Sequence, residues 1–145
     1  MQNIDLYSFQ CGAIDCFNEM VSVGVKTLAL SHPADSAEAR DALIPFVQEN
    51  CRKYGNQFYI EDELILTDLF PTANNRGKFM ILLYRENHVL EQYLRLKERK
   101  KALLAERAYF GGNHTQIAFE FGRLLSYDDE TVRRLIAENT DKESF

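Results

Sequence analysis

The sequence predicts an α+β fold, with about five helices packed around a small two- or three-stranded antiparallel sheet. Three observations lead there. Apolar residues recur at three- and four-residue spacing over most of the chain, which marks amphipathic helices. Residues 58–84 depart from that spacing. They hold two short apolar blocks: Phe58, Tyr59 and Ile60 with Leu64, Ile65 and Leu66, then an unbroken run from Phe79 to Tyr84. Finally, 145 residues with 46% hydrophobic and 27% charged content suit a single globular domain over 1–145.

Taken in order, Asn3 is placed to cap a helix from Ile4, and Tyr7, Cys11, Ile14, Phe17, Val21, Val25 and Leu28 form its inner stripe. Phe9, Ala13, Cys16 and Met20 widen that stripe, so the helix has more than one side to cover. Gly24 leaves two versions open, one long helix or a helix to about Val23 followed by a short element at 25–30. Pro33 ends either version. Asp35 and Glu38 have capping-box spacing for a second helix to about Tyr54. Pro45 kinks that helix unless it marks the true start. Gly55 and Asn56 stop it.

The block at 58–66 reads as one strand or a hairpin turning at Glu61, Asp62 and Glu63. Three acids favour a turn or an exposed edge. The run at 79–84 reads as a strand buried on both faces. A helix from Glu86 or Asn87 continues through the basic interruption at 97–101. Ile117, Ala118, Phe121, Leu124 and Leu125 give the cleanest helical pattern, and Gly122 within it implies close approach of another backbone. Asp128, Asp129 and Glu130 suit the positive end of a last helix.

The net charge of −5 is unevenly spread: residues 1–72 carry 4 basic and 11 acidic side chains, residues 73–145 carry 13 and 11. An acidic chain disfavours nucleic acid as a partner. Three cysteines without a CxxC pair suggest reduced thiols in the cytoplasm. No signal peptide or membrane-length apolar run is visible, so no membrane association is expected.

The segment at 68–78 is the first candidate site. Arg76 offers a planar fork to a phosphate or carboxylate, Lys78 a point charge, Asn74 and Asn75 amide contacts, and Asp68 an orienting carboxylate. The same residues also make an ordinary turn. Other candidates are the basic stretch at 95–107 and the helix start around Gly112, Asn113, His114 and Thr115. His32, His88 and His114 are far apart in sequence and fit no local ligand pattern, so no metal site and no cofactor are expected. No nucleophile motif singles out a catalytic residue, which leaves enzymatic activity open.

Seven tyrosines and ten phenylalanines are many for this length. Tyr59, Phe70, Tyr84, Tyr109 and Phe110 are candidates for a cleft or a subunit contact. The reading that follows is a cytoplasmic binding or adaptor domain acting through protein contacts and self-associating. The alternative is a binding protein or enzyme for a small anionic ligand at 68–78.

Overall fold

The computed structural model describes residues 3–145. The α+β class holds: seven helices and one three-stranded antiparallel sheet occur among the described residues. The chain forms two compact units, and each is built from two separate segments. The first takes residues up to Leu64 together with Gly77–Glu86, and the second takes Ile65–Arg76 together with Asn87–Phe145.

The first unit opens with α1 (Leu6–Ser22). Its cap is Asp5 rather than the expected Asn3: the Asp5 carboxylate accepts from the Tyr7 N–H at 3.2 Å and the Ser8 hydroxyl at 2.6 Å. Those bonds satisfy backbone and side-chain donors that the first turn cannot pair internally. Cys11, Ile14, Asn18 and Val21 form the buried face. The helix stops at Ser22, Gly24 turns the chain at φ 82, and β1 (Leu28–Leu30) follows. The shorter of the two sequence versions is therefore the one adopted.

The next helix is divided where Pro45 implied. α2 (Ala37–Asp41) is one short helix, and α3 (Ile44–Tyr54) begins with Pro45 in its first turn, where a missing N–H costs nothing. The α2 cap is Ser36, whose hydroxyl accepts from the Ala39 N–H at 3.0 Å; Asp35, expected in that role, pairs with Lys78 instead. Gly55 closes α3 at φ 73, a left-handed conformation that a Cβ would disfavour.

The sheet has the order β1-β3-β2, with β2 at Gln57–Glu61 and β3 at Met80–Tyr84. Leu28 and Gln57 both stand opposite Tyr84. β3 is thus the central strand, and all five of its residues are buried, as its unbroken apolar run predicts. No hairpin forms at 61–63. β2 ends there as an edge strand, because the buried Arg40 guanidinium donates to the Glu61 carbonyl at 3.1 Å and to the Asp62 carboxylate at 2.6 Å. Ile81 and Leu83 join Cys11, Ile14, Val21, Leu43, Val47 and Cys51 in one apolar core between sheet and helices. Asn18, fully buried, is the polar member of that region. It donates to Asn50 at 2.7 Å and accepts from Asn56 at 3.1 Å.

The second unit contains the single turn α4 (Thr72–Asn75), then α5 (Asn87–Ala105), α6 (Gly111–Leu124) and α7 (Asp129–Glu138). α5 runs unbroken through its basic interruption. Leu69, Tyr93, Ile117, Phe121 and Val132 are almost wholly buried, and Phe70 meets Phe121 edge-on at 6.2 Å between ring centres. Asp128 caps α7 by accepting from the Thr131 N–H at 2.7 Å. Gly122 makes room for a side chain rather than for the backbone expected there: a Cβ would lie 2.5 Å from Val132 Cγ2. Among the described residues, no helix is long and apolar enough to cross a membrane.

Candidate functional site

The most concentrated chemistry lies inside the second unit, where three chain segments bring Asp68, His114 and Glu143 together. Asp68 comes from the segment before α4, and its backbone is pinned by Asn139, whose amide donates to the Asp68 carbonyl at 2.9 Å. His114 stands in the first turn of α6, behind Phe110 as N-cap. That N-cap uses no side-chain bond, so neither Asn113 nor Thr115 caps the helix; the Asn113 amide donates to the Ala108 carbonyl instead. Glu143 lies on the C-terminal segment after α7, where its N–H donates to Asp68 Oδ1 at 3.0 Å.

The second oxygens of both carboxylates face the imidazole. His114 Nε2 is 3.4 Å from Asp68 Oδ2 and 3.3 Å from Glu143 Oε2. These are ion-pair distances, yet Nε2 is buried and hydrogen-bonds neither oxygen. The three donor atoms lie within 4.8 Å of one another.

Their surroundings hold them in place. Lys100 donates to Glu143 Oε1 at 2.7 Å and to the Leu66 carbonyl at 2.6 Å. The Tyr109 hydroxyl donates to Glu143 Oε2. Burial, then the hydrogen bond to Glu143 and the charges of Glu143 and Asp68, push the Tyr109 phenol well above its ordinary value. Tyr109 therefore stays a donor across the working pH range. Tyr109 meets the imidazole edge-on and Phe145 lies tilted against it, with ring centres 4.9 and 5.1 Å away.

The residues singled out at 68–78 take different places. Asp68 belongs to the cluster just described. Asn75 is buried, while Asn74 and Arg76 are exposed. Lys78 pairs with Asp35 in the first unit. The stretch itself is a helical turn tied to the C-terminal segment, since the Asp141 carbonyl accepts from the Thr72 N–H and its carboxylate from the Ala73 N–H, at 2.9 and 2.8 Å.

The basic stretch of α5 is likewise engaged: Arg95 pairs with Glu91, Arg99 with Glu120 and Lys100 with Glu143. Of the aromatic candidates, Tyr84 and Tyr109 are buried, Tyr59 and Phe70 half-buried, and Phe110 exposed.

Protein-family models, curated proteins and solved structures offer no match to this chain.

A second feature belongs to the first unit. α1 buries one face, yet Leu6, Phe9 and Cys16 on another face are exposed, with Val23 just past its end exposed as well. Leu6 is 63%, Phe9 57% and Val23 69% accessible, values at which an apolar side chain gains little from its own fold. Leu6, Phe9, Ala13, Cys16, Met20 and Val23 alternate steps of three and four, the seam spacing of a coiled coil. Ala13 and Met20 are half-buried within it.

Proposed function

We propose that the protein is a binding module that acts through protein contacts and self-associates through the outer stripe of α1. The observation that carries this reading is the exposed seam of Leu6, Phe9, Cys16 and Val23 on a helix whose opposite face already fills a core. A second copy is the occupant that the seam fits best. Laid antiparallel about a two-fold axis, it sets Leu6 against Val23, Phe9 against Met20 and Ala13 against Cys16. Large side chains meet at the ends, and small ones at the centre let the helices approach. Gly12 lies beside that centre with no atom within 4 Å of where its Cβ would stand. The antiparallel order also opposes the two helix dipoles and keeps Glu19 away from its own copy. The three free cysteines fit a reducing compartment such as the cytoplasm.

Light scattering tests this directly. The intact chain is expected to be a dimer at micromolar concentration. Phe9→Glu puts a charge against Met20 and is expected to weaken association roughly 100-fold or more. Cys16, the exposed thiol, should then react faster with a maleimide in Phe9→Glu than in the parent chain. A monomeric parent chain, or a dimer that survives Phe9→Glu, would overturn the proposal.

A further inference from the structure

We propose that Asp68, His114 and Glu143 form a binding site for one divalent transition-metal ion of the zinc class. The argument begins with distance. A charge-assisted hydrogen bond between an imidazole N–H and a carboxylate closes to about 2.7–2.9 Å. Here Nε2 sits 3.4 and 3.3 Å from its two carboxylate oxygens and bonds to neither, although it is buried. Ligands bound at about 2.0–2.1 Å in tetrahedral geometry stand about 3.3–3.4 Å from one another. Two of the three ligand–ligand spacings, 3.4 and 3.3 Å, thus match the edge of a zinc tetrahedron. Octahedral magnesium, with similar bond lengths and right-angled ligands, needs edges of about 3.0 Å, and calcium takes six to eight oxygens.

The supporting contacts have the pattern of an outer shell. Each carboxylate is anchored through one oxygen and turns the other toward the imidazole. Asp68 Oδ1 is held by the Glu143 N–H, and Glu143 Oε1 by Lys100. The Tyr109 hydroxyl donates to Glu143 Oε2, which keeps a lone pair for a metal. Outer-shell donors of this kind fix ligand orientation. Composition also favours a cation: two carboxylates converge here against the single ammonium of Lys100. Three protein ligands leave the fourth tetrahedral position for water or a bound group. The donor set of one nitrogen and two oxygens, without thiolate, suits zinc, cobalt or iron(II) more than copper(I).

Chelator-treated protein titrated with zinc chloride in a calorimeter should bind one equivalent per chain and show a raised melting temperature. Cobalt(II) in its place should give the intense visible absorption of a tetrahedral complex. His114→Gln is expected to weaken binding at least 100-fold, while His88→Gln, at an exposed position, should leave it unchanged. Tyr109→Phe should weaken it about 10- to 100-fold, the range typical of an outer-shell partner.

Should His114→Gln fail to fold, the parent chain still decides the matter. His32→Gln and His88→Gln identify the remaining imidazole signal by nitrogen NMR, and zinc must shift the Nε2 resonance of His114. Absence of saturable one-to-one binding, zinc held equally by His114→Gln, or a shift confined to His32 or His88 would each overturn the proposal.

Discussion

Gly122→Ala probes the packing of α6 against α7 in the second unit. An added Cβ would lie 2.5 Å from Val132 Cγ2, against an ordinary carbon–carbon contact of about 3.5–4.0 Å, an overlap of roughly 1 Å. Val132 cannot easily turn away. It is wholly buried, and a β-branched side chain in a helix holds one strongly preferred rotamer. Overpacking of this kind costs about 1–3 kcal/mol. Replacing a helical glycine by alanine returns about 1 kcal/mol in propensity, so Gly122→Ala alone should destabilise by about 1 kcal/mol.

Val132→Ala alone should cost about 2 kcal/mol through lost burial and a cavity. In the double variant the clash is gone, because the new Cβ lies 3.7 Å from Val132 Cβ. The glycine substitution should then stabilise, and the coupling between the two sites should reach about 2 kcal/mol. Urea denaturation of the four proteins, at one protein concentration, measures the cycle. A Gly122→Ala variant more stable than the parent, or coupling below about 0.5 kcal/mol, would refute the packing argument.

Two other outcomes test the polar elements of the first unit. Asn18→Ala removes a fully buried amide and leaves Asn50 and Asn56 short of partners. It should cost about 2–4 kcal/mol in the same urea assay, and a loss under about 1 kcal/mol would mean that the network contributes little. The Asp15 carboxyl is held below the usual carboxylate range chiefly by the Asn50 amide, with the Tyr54 hydroxyl and Lys53 adding to it. A carboxyl depressed in the folded state contributes stability above its unfolded pKa, and that contribution disappears as pH falls through the folded value. Asp15→Asn should therefore flatten the fall in stability below about pH 4, and an unchanged acid profile would contradict it.

Much of the fold was legible because local patterns caused it. The six apolar residues from Phe79 to Tyr84 demanded burial on both sides, and β3 became the central strand. Pro45 signalled a kink or a helix start, and the start is what forms; the acids at 128–130 do stand at the beginning of the last helix, where Asp128 also serves as cap. β1 was harder to read: Leu28 continues the apolar spacing of α1, and three residues are too few for alternation to register. Asp35 and Ser36 are both good cap residues; Ser36 caps α2 and Asp35 pairs with Lys78, a choice that composition alone does not make.

The Asp68 cluster could not be found by spacing, since its members come from three distant segments. One signal was present. Asn139, Asp141 and Glu143 alternate in a short polar stretch. Each of the three contacts residues 68–73.

The strand order also sets a timetable for synthesis. β1 and β2 pair only with β3, and β3 is encoded after both of them and after the first segment of the second unit. A nascent chain that has reached residue 72 holds two strands with nothing to join them, and Leu28, Ala29 and Phe58 have no sheet to bury them. At about 5–20 residues per second, β3 follows within roughly one to three seconds. Until then the emerging chain carries two unpaired strand edges, which makes that interval its most vulnerable to mispairing and to capture by a chaperone.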